Sequence, residues 1–156
     1  MLLFIVSLLM LGCSAPSTLS VPVDPVAEKN MLQAVNRLRE AGCTCGGQRM
    51  PPAPPLRWNE NLAEAAKRHA ADMHRHRFLR HRGSDRSLFD SRITEAGYAW
   101  SAVGENIARG HDSIESVMQA WIDSPDHCRT MMDPGYQDFG AARSGDFWVQ
   151  NFATGY

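Results

Sequence analysis

The sequence predicts an α+β domain in which helices flank a small antiparallel sheet. Apolar residues recur at helical spacing in two long segments of the first half and again in the segment after Asp112. Two strands are predicted near 137–143 and 147–152, joined by a hairpin turn at Gly145-Asp146. At 156 residues, 44% hydrophobic and 21% charged, the chain has the composition of one globular domain.

The N-terminus has the composition of a targeting segment. Residues 1–11 are almost entirely apolar, a run too short to span a bilayer, and Gly12-Cys13 follows. A small residue before a cysteine at this place resembles a bacterial lipobox, in which Cys13 becomes the lipidated first residue of the mature protein. Ordinary signal-peptide cleavage nearby is the alternative. Both routes predict an exported protein of the cell envelope, anchored to the membrane by lipid or free in the periplasm or outside the cell.

The chain therefore divides into a signal segment over 1–13, a tether over 14–23 and one domain over 24–156. The tether is rich in Ser, Pro and Val and has no periodicity. A net charge of −1 gives no sign of a nucleic-acid partner. We expect a monomer.

The first two helices have recognisable ends. The first is predicted to begin at Pro25 and to stop at Gly42, which can adopt a left-handed conformation. The second is predicted from about Asn61 to His76, with Asn61 and the glutamate three residues later as a capping box. A shorter third helix is predicted around 88–96.

A further strand is predicted over 100–108, and the helix that follows it has a single buried face. Its apolar residues follow helical spacing: Ile114, Val117, Met118, Trp121 and Ile122. Asp112 and Glu115 are predicted to form its capping box. Ser124 is predicted to cap the next helix, which places His127 in the first turn of that helix.

Three ionisable residues near these elements are candidates for chemistry: His81, Glu105 and His127. Two neutral imidazoles and a carboxylate suit a divalent metal with open coordination positions. The same trio could carry general acid–base chemistry, with Ser124 as a further candidate. No serine or cysteine lies in a recognisable nucleophile motif. His69 falls on the apolar face of its helix, where we expect a core histidine with satisfied hydrogen bonds.

The cysteines predict one disulfide. If Cys13 is lipidated, Cys43, Cys45 and Cys128 remain. Because Cys43 and Cys45 would close a strained ring, one of them is expected to pair with Cys128, and an exported protein favours such a bridge. A zinc site is the alternative for three cysteines, but the spacing matches no standard zinc motif.

Several motifs follow one another in a characteristic order: His69-Ala70-Ala71-Asp72-Met73, His81-x-Gly83-Ser84-Asp85, Arg92-Ile93, Ala96-Gly97-Tyr98, Gly104-Glu105-Asn106-Ile107, Trp121-x-x-Ser124-Pro125-x-His127 and Phe147-Trp148-Val149-Gln150-x-Phe152. Over about 27–153 the chain resembles the bacterial branch of the CAP superfamily. This SCP-like group includes cysteine-rich secretory proteins and plant pathogenesis-related proteins. The resemblance implies an α-β-α sandwich with a cleft over the sheet.

The resemblance also implies a set of residues in that cleft. Eukaryotic members line the cleft with two histidines and two glutamates, which often bind a divalent metal such as zinc. By motif, His81 and His127 are the histidines and Glu105 is the first glutamate. Ser124 occupies the position of the second glutamate, with Asp123 beside it, so the set is incomplete here.

Close bacterial relatives carry a cysteine after the second histidine and a Cys-Gly pair in the early loop. The resemblance therefore implies a Cys45–Cys128 disulfide and a free Cys43.

The function predicted from these observations is a binding module whose ligand is a small molecule, a lipid or a peptide. The alternative is a metal-dependent, peptidase-like hydrolase that uses His81, His127 and Glu105, with Ser124 or Asp123 in the vacant role. A purely structural role for the same residues is a third hypothesis.

Overall fold

A four-stranded sheet lies at the centre of the fold in the computed structural model, which describes residues 25–156. The predicted signal segment, lipidation at Cys13 and tether lie outside the described residues. The helices are α1 (Pro25–Ala41), α2 (Glu60–His76), α3 (Phe89–Glu95), α4 (Ile114–Asp123) and α5 (Pro125–Met132). The strands are β1 (Cys43–Cys45), β2 (Gln48–Met50), β3 (Arg57–Trp58), β4 (Trp100–Arg109), β5 (Asp138–Ser144) and β6 (Phe147–Gly155). None of the helices in this range has the length and apolar character needed to cross a membrane.

The order of strands in this sheet is β3-β5-β6-β4. Strands β5 and β6 form the predicted hairpin through Gly145-Asp146, and β4 pairs antiparallel with β6 along its length. The sheet is antiparallel as predicted except at one edge, where β3 pairs parallel with β5. A two-residue edge strand is too short to show the alternation by which strands are recognised in a sequence.

Alternating side chains on β6 divide the core into two layers. Trp148 and Phe152 pack in one apolar cluster with residues of α1, α4 and α5. Phe147 and Val149, on the opposite face of the strand, pack with residues of α2. Helices therefore cover both faces of the sheet, and the predicted α-β-α sandwich is confirmed.

Gly140 allows α2 to lie unusually close to the sheet. A Cβ atom on Gly140 would come within 2.1 Å of the backbone nitrogen of Ala63 in α2. The buried face of α2 is mostly alanine: Ala63, Ala65, Ala66 and Ala70. Small residues on both sides thus set the distance between the helix and β5.

Two predicted helix caps were wrong by one or two residues. Helix α2 is capped by Asn59, whose Oδ1 accepts hydrogen bonds from the backbone of Asn61 (3.0 Å) and Leu62 (3.2 Å). Asn61 instead donates its side-chain amide to the carbonyl of Gly97. Both asparagines have equal capping propensity. Asn59 becomes the cap because the side chain of Asn61 binds the backbone just after α3.

The capping box of α4 is formed by Ser113 and Ser116, not by Asp112 and Glu115. The Oγ of Ser113 accepts from the backbone of Ser116 at 3.2 Å, and the Oγ of Ser116 accepts from the backbone of Ser113 at 3.4 Å. The helix thus begins one residue later than the acidic pair predicts.

A disulfide ties a separate two-stranded hairpin to α5. Strands β1 and β2 are joined by Gly46-Gly47, both with positive φ, and a Cβ on Gly46 would lie 2.7 Å from the ring of Pro125. Cys45 is bonded to Cys128, the pairing that the resemblance implied, and Cys43 is a free thiol. The bridge holds the start of α5 in place.

Replacement of Trp121 by alanine should lower the free energy of unfolding by about 3–5 kcal/mol through the cavity that it leaves. Trp121 is 1% exposed, and its indole N–H donates to the carbonyl of Ile107 at 3.2 Å. Urea denaturation measures the change, with Trp58→Ala at the partly buried edge strand as the control. A loss no greater than that of the control would contradict the assigned burial.

Candidate functional site

Glu105 is a buried carboxylate with both oxygens engaged. Its side chain is 0% exposed, Oε1 accepts from Nδ1 of His81 at 2.8 Å, and Oε2 accepts from Nη2 of Arg92 at 2.8 Å. Arg92, on α3, also donates to the backbone carbonyl of His81 at 3.0 Å. A buried negative charge requires such pairing. The guanidinium of Arg92 therefore anchors both Glu105 and the loop that carries His81.

The position of Glu105 follows from the alternation of β4, the edge strand of the sheet. Ile107, two residues on and on the same face, packs with α2. Asn106 points to the opposite layer, where its side-chain amide donates to the backbone carbonyl of His127 at 3.1 Å. Two consecutive residues of the edge strand thus hold the two histidine-bearing segments, one from each layer.

His127 lies in the first turn of α5, as the sequence predicts. Its Nδ1 is 2.9 Å from Oγ of Ser124. Ser124 does occupy the N-cap position, but its side chain makes no capping hydrogen bond. The predicted cap was therefore wrong in its contact, because the hydroxyl orients the imidazole.

The electrostatics of the site favour a neutral His127. Burial lowers the pKa of His127, the nearby His81 lowers it further, and Asp126 partly opposes both effects. The side chain of His81 is 46% exposed. The two imidazoles are therefore electrostatically coupled, with His127 half-buried and favoured as the neutral form, and His81 more open to solvent.

Two members of the cluster around Glu105 are absent from the sequence-based candidates. His69 is fully buried, as predicted, and its Nε2 lies 3.0 Å from the carbonyl of Arg80 and 3.9 Å from Oε1 of Glu105. Its hydrogen bonds are not all satisfied, because Nδ1 has no partner among the described residues. Burial lowers the pKa of His69 more than Glu105 raises it. Arg92 is the other missed residue: the Arg92-Ile93 pair belongs to the motifs that carry the resemblance, but no role was assigned to the arginine.

The side chains do not fit the three-ligand metal site that the resemblance implies. The guanidinium of Arg92 forms an ion pair with one oxygen of Glu105, and the ring of His81 forms a hydrogen bond with the other. Of the three predicted ligands, only His81 and His127 then offer a ring nitrogen, their Nε2 atoms, whereas zinc in proteins usually has at least three protein ligands. Over residues 25–156, three such ligand atoms lie within 4.8 Å of one another in one group, the cysteines 43, 45 and 128. A metal at His81, His127 and Glu105 stays a prediction.

The contact between Ser124 and His127 gives only weak support to Ser124 as a catalytic nucleophile. In a catalytic pair, a third group orients the base from its other nitrogen. Within the described part of the chain, Nε2 of His127 has no hydrogen-bond partner. The arrangement therefore offers two imidazoles, each held through Nδ1 and each with Nε2 available to a ligand.

We expect Glu105→Gln to destabilise the fold by about 3–5 kcal/mol, because it leaves the buried charge of Arg92 unpaired. Arg92→Met should cost a similar amount, and the double variant should cost less than the sum of the two. Chemical denaturation of the four proteins measures this coupling. Glu95→Gln on the exposed side of α3 is the matched control. Strictly additive losses would rule out the ion pair as the anchor.

The pKa of His127, measured from its ring resonances by NMR, should lie below the ordinary value of about 6.5 and should rise in His81→Ala. Because the lowered pKa belongs to the folded state, the unfolded chain binds the proton more readily. His127 thus favours folding above about pH 6.5, and this contribution is lost as the pH falls through its folded pKa. An unchanged pKa in His81→Ala would show that the two rings do not interact.

Comparison with known proteins shows the family to which the chain is similar. The model of the CAP family, described as the cysteine-rich secretory protein family, matches residues 32–152. The uncharacterized protein YkwD of Bacillus subtilis is 26% identical over 141 residues, which are 89% of this chain and 49% of YkwD. The chain therefore spans about half the length of this relative.

Solved structures share the fold. An extracellular protein of Bacillus anthracis that contains an SCP domain is similar over 86% of this chain and 45% of its own, with 22% identity and a TM-score of 0.68. An outer surface protein of Borrelia burgdorferi is similar over 82% of this chain and 92% of its own, with 20% identity and a TM-score of 0.71.

Proposed function

Because the chain belongs to the cysteine-rich secretory (CAP) protein family, we propose that it is an exported CAP domain of the bacterial envelope that binds a ligand through His81 and His127. The observation that carries this proposal is the pair of imidazoles held at Nδ1 by Glu105 and Ser124. Such rings are orientated before a ligand arrives, which lowers the entropic cost of binding.

The chemistry of the two rings defines the ligand class. A carboxylate can only accept, so Nδ1 of His81 carries the proton that Glu105 receives. When His81 is neutral, its Nε2 is then a hydrogen-bond acceptor. A ligand with hydroxyl or amide N–H groups matches this acceptor, and small polar molecules, peptides and lipid headgroups all offer such donors.

The location in the envelope rests on other observations. The apolar segment before Cys13 has the pattern of a lipoprotein signal. The similar B. anthracis protein is extracellular, and the similar B. burgdorferi protein lies on the outer surface. A lipid anchor at Cys13 would hold the domain at the membrane, and free export is the alternative.

The test follows the ring resonances of His81 and His127 in the full-length chain by NMR. The probes are phosphatidylethanolamine–phosphatidylglycerol vesicles, an N-acetylglucosamine trimer, a short alanine peptide and zinc chloride. We expect saturable shifts at both rings with one of the first three. They should disappear in His81→Ala/His127→Ala and persist in His76→Ala/His111→Ala.

Two results would overturn the proposal. Shifts in none of the four titrations would leave the rings with a structural role only. Zinc binding at micromolar or lower concentration, lost in His81→Ala/His127→Ala by calorimetry, would make the site a metal centre instead.

A further inference from the structure

Three cysteine sulfurs lie together where the β1–β2 hairpin meets α5. The Sγ of Cys43 is 3.6 Å from the Sγ of Cys45 and 3.6 Å from the Sγ of Cys128, the two atoms of the disulfide. Residues two apart on a strand point to the same side, so β1 directs both of its cysteines toward α5. A free thiol is therefore in van der Waals contact with both ends of a disulfide.

We propose that Cys43 is the nucleophile of an internal thiol–disulfide exchange, which moves the bridge of Cys128 between Cys45 and Cys43. The Cys43 thiolate attacks Sγ of Cys128, the new S–S bond forms, and the bond to Cys45 breaks with its electron pair on Cys45. The proton that Cys43 loses is balanced by the one that Cys45 gains. One thiol and one disulfide are present before and after, so no external oxidant or reductant is consumed.

Geometry restricts the direction of exchange. Attack on Cys45 would instead join Cys43 to Cys45 across one residue, which closes a strained ring. Attack on Cys128 avoids that ring. The equal distances place the Cys43 sulfur beside the S–S bond, so a side-chain rotation must bring it into line before it reacts.

The exchange would move the disulfide toward the protein surface. Cys45 and Cys128 are fully buried, whereas Cys43 is partly exposed. The alternative bridge therefore places one of its sulfurs where an external thiol can reach it. Cys128 remains bridged in both forms, so α5 and the adjacent His127 stay tethered to the hairpin.

The first experiment locates the free thiol in full-length protein that carries Cys13→Ser. The protein is equilibrated at about pH 8.5, because thiolate forms more readily at alkaline pH. Burial raises the pKa of Cys43, so only part of this thiol is ionised. Exchange is then stopped in guanidinium chloride at about pH 4 with excess N-ethylmaleimide, since thiolates are scarce there. Thr44 separates the two cysteines, so tandem mass spectrometry assigns the label to either one.

We expect the label mostly on Cys43 and on Cys45 in about 0.1–10% of molecules, the usual population of a minor state. The matched control Cys13→Ser/Cys43→Ser should show no label on Cys45. Label confined to Cys43, label on Cys45 that persists in this control, or label on Cys128 in place of Cys45 would each overturn the proposal.

A second measurement uses reduction of the native protein by dithiothreitol. The disulfide should be reduced at least about tenfold more slowly in Cys13→Ser/Cys43→Ser than in Cys13→Ser, because the buried bridge then opens only through local unfolding. The two proteins should be reduced at the same rate in urea. Equal rates under native conditions would contradict the role of Cys43.

Discussion

Glu105 has a carboxylate that is shielded from water, and the arrangement of the site depends on how its charge is neutralised. A buried anion must be compensated by a cation and by hydrogen bonds. Arg92 supplies the cation from α3, and His81 supplies a donor from the loop after α2. Because Arg92 also binds the carbonyl of His81, one ion pair fixes a helix, a loop and the edge strand relative to one another.

The second layer is held to the same strand by different means. Asn106 reaches the backbone of His127, and the Cys45–Cys128 bridge fixes the next residue of α5. Gly46 lets the hairpin turn lie directly against Pro125 at the start of that helix. His127 is therefore positioned by contacts on both sides. The positions of the two imidazoles are therefore set by this scaffold, and the proposed ligand binding rests on that arrangement.

The resemblance to eukaryotic CAP proteins implies a metal-binding set from which this chain departs at one residue. Ser124 stands where a second glutamate is expected, and its hydroxyl orients His127. A hydroxyl adds no negative charge, and the charge of Glu105 is already matched by Arg92. The site thus has little excess negative charge with which to attract a dication. The proposal of a ligand with neutral hydrogen-bonding groups rests on this charge balance.

The sequence by itself determined the order and type of the main elements. Periodic apolar residues located the helices, and the β5–β6 hairpin followed from its turn. Through the resemblance that they carry, the ordered motifs implied the sandwich and the Cys45–Cys128 pair and gave His81, Glu105 and His127 as candidates. The exact helix ends could not be predicted where two neighbouring residues are equally good caps. Asn59 and Asn61 are such a pair, and only the contact of Asn61 with Gly97 distinguishes them.

Only the tertiary structure decided which charged and polar residues from distant parts of the chain lie in contact. Arg92 and Glu105 are 13 positions apart on a helix and a strand, so neither periodicity nor spacing links them. His69 has the pattern of any core residue on α2, and only the fold places it 3.9 Å from the same carboxylate. Sequence patterns record which face of an element is buried. The partner that a buried polar group meets depends on how separate elements pack, and that is fixed only when the whole chain has folded.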